Sequence, residues 1–112
     1  MMKPPLNIFS GIPRSSQEEL FGDLLETPHC QIERIVSFGQ ASPEGFWYNQ
    51  AWDEWVLLIQ GTAELDLAGK TVALVPGDHL LIPAGCRHRV NRTDHEQPTI
   101  WLAIHINKNP VD

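Results

Sequence analysis

From Gln31 to Ile106 the chain is a succession of short β-type runs, and nothing in that span is long and periodic enough to be a crossover helix. The runs are 31–38 (QIERIVSF), 45–50 (GFWYNQ), 54–60 (EWVLLIQ), 62–67 (TAELDL), 70–75 (KTVALV), 79–83 (HLLIP), 88–91 (HRVN) and 99–106 (TIWLAIHI). SPEG, QG, AGK, PGD, PAGC and the NRTDHEQP loop separate them. Many short strands with turn residues at regular spacing predict an antiparallel sandwich or barrel. Strands that do not alternate with long helices argue against a parallel α/β fold.

The segment before these runs reads differently. Residues 1–14 hold Pro4, Pro5 and Pro13 with little periodicity, which predicts an extended arm ahead of a single domain over 15–112. In SSQEELFGDLLETP, Ser15 with Glu18 or Ser16 with Glu19 makes a capping-box signature. Leu20, Phe21, Leu24 and Leu25 share one helical face, and Pro28 would end the helix. Gly22 weakens such a helix by about 1 kcal/mol relative to Ala. One short N-terminal amphipathic helix is therefore expected.

Strand parity separates half-exposed runs from covered ones. In 62–67, Ala63, Leu65 and Leu67 share a face opposite Thr62, Glu64 and Asp66. The run 54–60 is apolar on both faces, and so is 99–106. Such strands need cover on both sides, from a second sheet, the helix or a second copy, so a homodimer is expected. An acid such as Glu54 opening a two-sided apolar strand is unexpected for a mere core element.

Charge narrows the partners. Fourteen acids against eight Lys and Arg give a formal charge of −6, which disfavours nucleic-acid backbones. No apolar run approaches the roughly 20 residues of a membrane span. The opening MMKPPLNIFSGIP lacks the apolar core of a signal peptide, so a cytoplasmic location is expected. Cys30 and Cys86 show neither CxxC nor structural-zinc spacing and read as reduced thiols.

One constellation carries chemistry. Gly77, five residues, Pro83, one residue, Gly85, two residues and His88 form a tight turn that launches a short strand at an imidazole. Val90 shares the face of His88, opposite Arg87, Arg89 and Asn91, so His88 is expected to point inward. Glu54, then six residues and Gly61, make a second fragment. Together these resemble the paired motifs of the cupin superfamily, small jelly-roll β-barrels. The second motif matches through its His, and its closing Asn is displaced by one, with Arg92 in its place and Asn91 before it. The first motif keeps its Glu and Gly but lacks its HxH. With a three-residue gap those positions are Tyr48 and Gln50; with four they are Trp47 and Asn49.

The resemblance implies an all-β jelly-roll barrel with a small-molecule site in its interior. It also implies a divalent metal on the motif histidines and Glu, of which only Glu54 and His88 stand here as strong ligands, with Gln50 as a weak amide oxygen. Two other readings stay open for these residues. Glu54 could be a satisfied buried acid, hydrogen-bonded to His88 or Tyr48. Alternatively, Glu54 and His88 could form a metal-free acid–base pair for an isomerase, epimerase or lyase reaction. A non-catalytic ligand sensor that has lost the family metal site is the competing class.

The neighbouring aromatics are Phe46, Trp47, Tyr48, Trp52 and Trp55. Parity sends Tyr48 and Gln50 into the cup and Trp47 outward; the rings could line a mouth or simply pack. Among the remaining histidines, His29, His79 and His95 read as loop or strand-edge residues. His105 ranks below His88 because Ile100, Leu102, Ile104 and Ile106 make the more uniform core face of their strand. Arg87, Arg89 and Arg92 could bind an anion or sit as exposed strand charge.

Overall fold

The computed structural model describes residues 2–108, and among them every regular element is a strand. β1 is Leu20–Thr27, β2 Cys30–Ser37, β3 Asp53–Gln60, β4 Ala63–Leu67, β5 Lys70–Leu74, β6 His79–Ile82, β7 His88–Thr93 and β8 Thr99–Ile106. A five-stranded antiparallel sheet runs β1-β2-β8-β3-β6, and a three-stranded one runs β5-β4-β7. Leu58 and Trp101 of the larger sheet pack with Ala63, Leu65 and Leu74 of the smaller, so the core lies between the two. Val56, Ile82 and Ala103 form a second buried group. No helix of the described residues is long and apolar enough to cross a membrane.

The helix expected after Ser15 is not formed; Leu20–Thr27 is instead the edge strand β1, paired with β2. Its apolar spacing fits a helical face, but it equally fits a bulged strand. Asp23 pairs with Glu33 and Leu25 with Ile32, which leaves Leu24 as the extra residue. The Ser16 hydroxyl accepts a hydrogen bond from the Glu18 N–H two residues on, a local turn that competes with a helix cap. Ahead of β1, the Arg34 guanidinium donates to the carbonyls of Ile8 and Ser10 and ties that part of the chain to β2.

The run at 45–50 is likewise not a full strand. It touches the smaller sheet through one bridge, in which Tyr48 and His88 exchange N–H···O bonds of 2.7 and 3.0 Å. The Gly85 N–H donates to the Gln50 carbonyl at 2.7 Å. The SPEG turn before it, closed by the Phe46 N–H on the Pro43 carbonyl, absorbs the residues a longer ladder would need.

Two glycines explain the motif spacing. Gly85 has φ +80° in the turn that delivers His88. Gly61 has φ +82°, and a Cβ there would lie 2.9 Å from the Thr99 Cα, so only glycine lets β3 turn this close to β8. A further irregularity matters for the site. Glu64 pairs with Arg92 and Leu65 with Val90, which makes Asn91 a bulge in β7. The extra residue lets His88, Val90 and Thr93 all face inward.

β8 corrects part of the expected core face. Ile100 is buried as expected, but Leu102 and Ile104 are only half-buried and Ile106 is exposed, while Trp101, Ala103 and His105 are the buried alternates. Trp101 sets this frame, because its ring fills the space between the sheets and its Nε1–H reaches the Ser37 hydroxyl at 3.3 Å. His105 is carried inward with it.

Candidate functional site: an acidic cavity between the sheets

A cavity of about 180 Å³ opens between the two sheets. Glu54 from β3, His88 from β7, and Tyr48 and Gln50 from the irregular segment all line it, so the residues singled out from the sequence converge. Glu54 and His88 are 7% and 5% exposed, which puts both heads in the interior. They do not pair with each other: no ion pair joins them among the described residues.

Each has a different environment. His88 Nδ1 lies 3.0 Å from the Cys86 carbonyl. A carbonyl only accepts, so Nδ1 carries the proton and Nε2 presents a lone pair. No hydrogen bond to Nε2 occurs among the described residues. The Tyr48 ring stacks on this imidazole, with centroids 5.2 Å apart, and Phe46 meets Tyr48 edge-on. Burial raises the Tyr48 phenol above its ordinary range, and the carboxylates of Glu19, Glu54 and Glu33 add to the rise.

Glu54 faces His105 instead. Its Oε1 is 3.9 Å from His105 Nδ1, too far for a hydrogen bond, and its carboxylate has no hydrogen-bond partner among the described residues. His105 itself is fully engaged. Trp52 Nε1–H donates to Nδ1 at 2.9 Å, and Nε2 lies 3.2 Å from Glu33 Oε1. Trp can only donate, so Nδ1 must be the acceptor and Nε2–H the donor to Glu33.

His105, Glu33 and Trp52 are thus the part of the site that sequence reasoning ranked low or missed. The available signal was parity: Glu33 and Ile35 share a face of β2, as Trp101 and His105 do on β8. Glu19 also lines the cavity, and its Oε2 accepts from the Ser37 hydroxyl at 2.5 Å. Trp47 lies outside the cavity, beneath the Arg87 guanidinium at 4.7 Å. Gln50 Oε1 is buried with no hydrogen-bond partner.

The residues expected to hold a metal do not make a good cage for one. Among the described residues no three His, Cys, Asp or Glu side chains converge as ligands. One carboxylate, one imidazole and one amide oxygen form a weak donor set for the ions that imidazole suits. Glu54, moreover, is turned to His105. Cys30 and Cys86 form no disulfide.

Residues 36–105 match the family model described as the cupin domain. Human 3-hydroxyanthranilate 3,4-dioxygenase is 34% identical over 92 residues, covering 82% of this chain and 28% of that relative. The rat enzyme is 38% identical over the same shares. This chain therefore spans little more than a quarter of the curated relatives it matches. A Ralstonia eutropha JMP134 crystal structure, described provisionally as a mannose-6-phosphate isomerase, superposes with a TM-score of 0.90. It is 45% identical and the match covers 94% of this chain and 99% of that one. A Desulfitobacterium hafniense cupin superfamily protein, 22% identical with a TM-score of 0.76, shares the fold over 95% of this chain and 93% of its own. With the family model matching residues 36–105, a span that holds both the Glu54–Gly61 and the Gly77–His88 motifs, this chain belongs to the cupin domain family.

Proposed function

We propose that this cupin transforms a small molecule in its interior cavity by proton transfer, with Glu54 as the carboxylate base and His88 as the second acid–base group. The observation that carries the reading is that two titratable groups on opposite sheets line one cavity with atoms the protein does not use. The Glu54 carboxylate has no hydrogen bond, and His88 Nε2 has no partner among the described residues. A group whose lone pairs are already spent on the protein is a poor base, and these are not spent. Tyr48, a phenol stacked on His88 and lining the cavity, is placed to donate a hydrogen bond to the ligand.

The relatives are named for two kinds of reaction, an oxygenation in the curated enzymes and an isomerisation in the R. eutropha protein, and the second is the one this reading draws on. Isomerisation, the reaction in the name of the R. eutropha protein, is one that a paired acid and base can carry by proton transfer. No step is assigned to a metal, because the donor set does not fit one. Phe21, Leu24 and Leu25 are half-exposed on edge strand β1, and they are the surface through which we propose that two copies pair.

The test is exchange of carbon-bound hydrogen with D2O, followed by NMR across a panel of hydroxyaldehydes, sugars and aminophenols. Glu54→Gln and His88→Ala are each expected to lower the exchange rate by about 10²- to 10⁴-fold. Elemental analysis run alongside is expected to find sub-stoichiometric metal. Either variant exchanging at the wild-type rate removes its residue from the chemistry. Tight binding of a panel member with no turnover would assign the protein to the ligand-sensor class.

A further inference from the structure

Resting on the reading of this cavity as a small-molecule site, we infer that its ligand is a hydrogen-bond-donating ring compound without negative charge, and that phosphorylated and carboxylated molecules are rejected. Glu19, Glu33 and Glu54 line the cavity and no Lys or Arg does. With both lining imidazoles protonated, the wall still carries a formal charge of −1; with neither, it carries −3. An anion entering so small a space meets like charge with no Lys or Arg on the wall to answer it, and like-charge juxtaposition in a binding site suppresses binding.

The guanidinium at the rim does not offset this. Arg89 reaches the rim segment, but its terminal nitrogens donate to the carbonyls of Pro43 and Ser42 and its Nε to Asn91 Oδ1. Arg34 does not line the cavity, and its Nη1 donates to the carbonyls of Ile8 and Ser10. Phosphate and carboxylate recognition in proteins relies on such forks being free.

The polar atoms left over make the complementary demand. Gln50 Oε1 is a buried acceptor with no donor, and the Glu54 carboxylate is an acceptor with none. A buried acceptor left unpaired is unfavourable, so the fitting ligand brings O–H or N–H groups to both. Trp101, Ile35, Val56, Ile82 and Val90 supply the apolar walls against which a ring can lie.

Two matched pairs of probes test the assignment by calorimetric titration at neutral pH: mannose against mannose 6-phosphate, and 2-aminophenol against 3-hydroxyanthranilate. Within each pair the ring is kept and only the anionic group differs. The uncharged member of at least one pair is expected to bind about tenfold or more tightly than its anionic partner, equivalent to about 1.4 kcal/mol. Which pair responds distinguishes a sugar from an aminophenol. The Glu19→Gln variant, which keeps an oxygen for the Ser37 hydroxyl, is expected to narrow that preference several-fold.

Equal or tighter binding of the anionic members overturns the inference, and so does binding of neither member of either pair. Because the readout is affinity, it is independent of turnover. Glu54→Gln that loses exchange chemistry and, like Glu19→Gln, narrows the charge preference supports both readings. A charge preference in a protein without turnover removes only the proposed reaction.

Discussion

The two imidazoles of the cavity are equally buried and chemically opposite. His105, on the five-stranded sheet, is closed: Trp52 donates to one nitrogen and the other donates to Glu33. His88, on the three-stranded sheet, is half open: its Nδ1–H is fixed on the Cys86 carbonyl and its Nε2 has no protein partner among the described residues. Burial alone therefore does not identify a reactive histidine; the distribution of hydrogen bonds around the ring does. One wall holds a finished network that shapes the acidic side of the cavity. The other holds an imidazole with a lone pair to spend.

The largest expected effect separates these roles through stability. His105→Ala leaves the Trp52 N–H and the Glu33 carboxylate without their partner in a part-buried site, which should cost about 2–4 kcal/mol. His88→Ala breaks one bond to a backbone carbonyl and should cost about 1 kcal/mol, apart from the volume of the ring. Denaturant titration of the two variants checks the order. Equal losses would mean that His88 is as structural as His105, and the contrast would fail.

A smaller effect reads the coupling between the walls. Tyr48 is the single tyrosine, so its ionisation can be followed alone by ultraviolet absorbance. Its pKa is raised in the folded state by burial and then by Glu19, Glu54 and Glu33, so the midpoint should lie above 10. A raised folded value means that the phenol's contribution to stability is complete below pH 10 and is lost as pH climbs through the folded midpoint. Glu54→Gln removes one of the charges that oppose ionisation and should move the midpoint down. An unchanged midpoint would show that the carboxylate of one sheet does not act on the ring of the other.

Much of this arrangement was legible in the residues, for identifiable reasons. The Gly77–His88 spacing encodes a turn that only its glycines can make, and parity in 54–60 put Glu54 on the same face as Val56 and Leu58. The convergence of Tyr48, Gln50, Glu54 and His88 on one cavity follows from those local rules. What escaped them depended on contacts far apart in the chain. Leu20–Thr27 has helix-like apolar spacing, and only pairing with β2 around the Leu24 bulge makes it a strand. In 99–106 the run of Ile and Leu looked like the inner face, whereas Trp101 fixed the opposite one by filling the space between the sheets. The role of His105 depends on Trp52 and Glu33, which lie 53 and 72 residues away along the chain.

The contrast between the two rings is open to direct observation by nitrogen-15 NMR of histidine-labelled protein near neutral pH. The account predicts two opposite tautomers, with the proton on Nε2 in His105 and on Nδ1 in His88, assigned through His88→Ala. Finding the His88 proton on Nε2 would mean that the lone pair faces the Cys86 carbonyl rather than the cavity. The acid–base role proposed for that residue would then be contradicted.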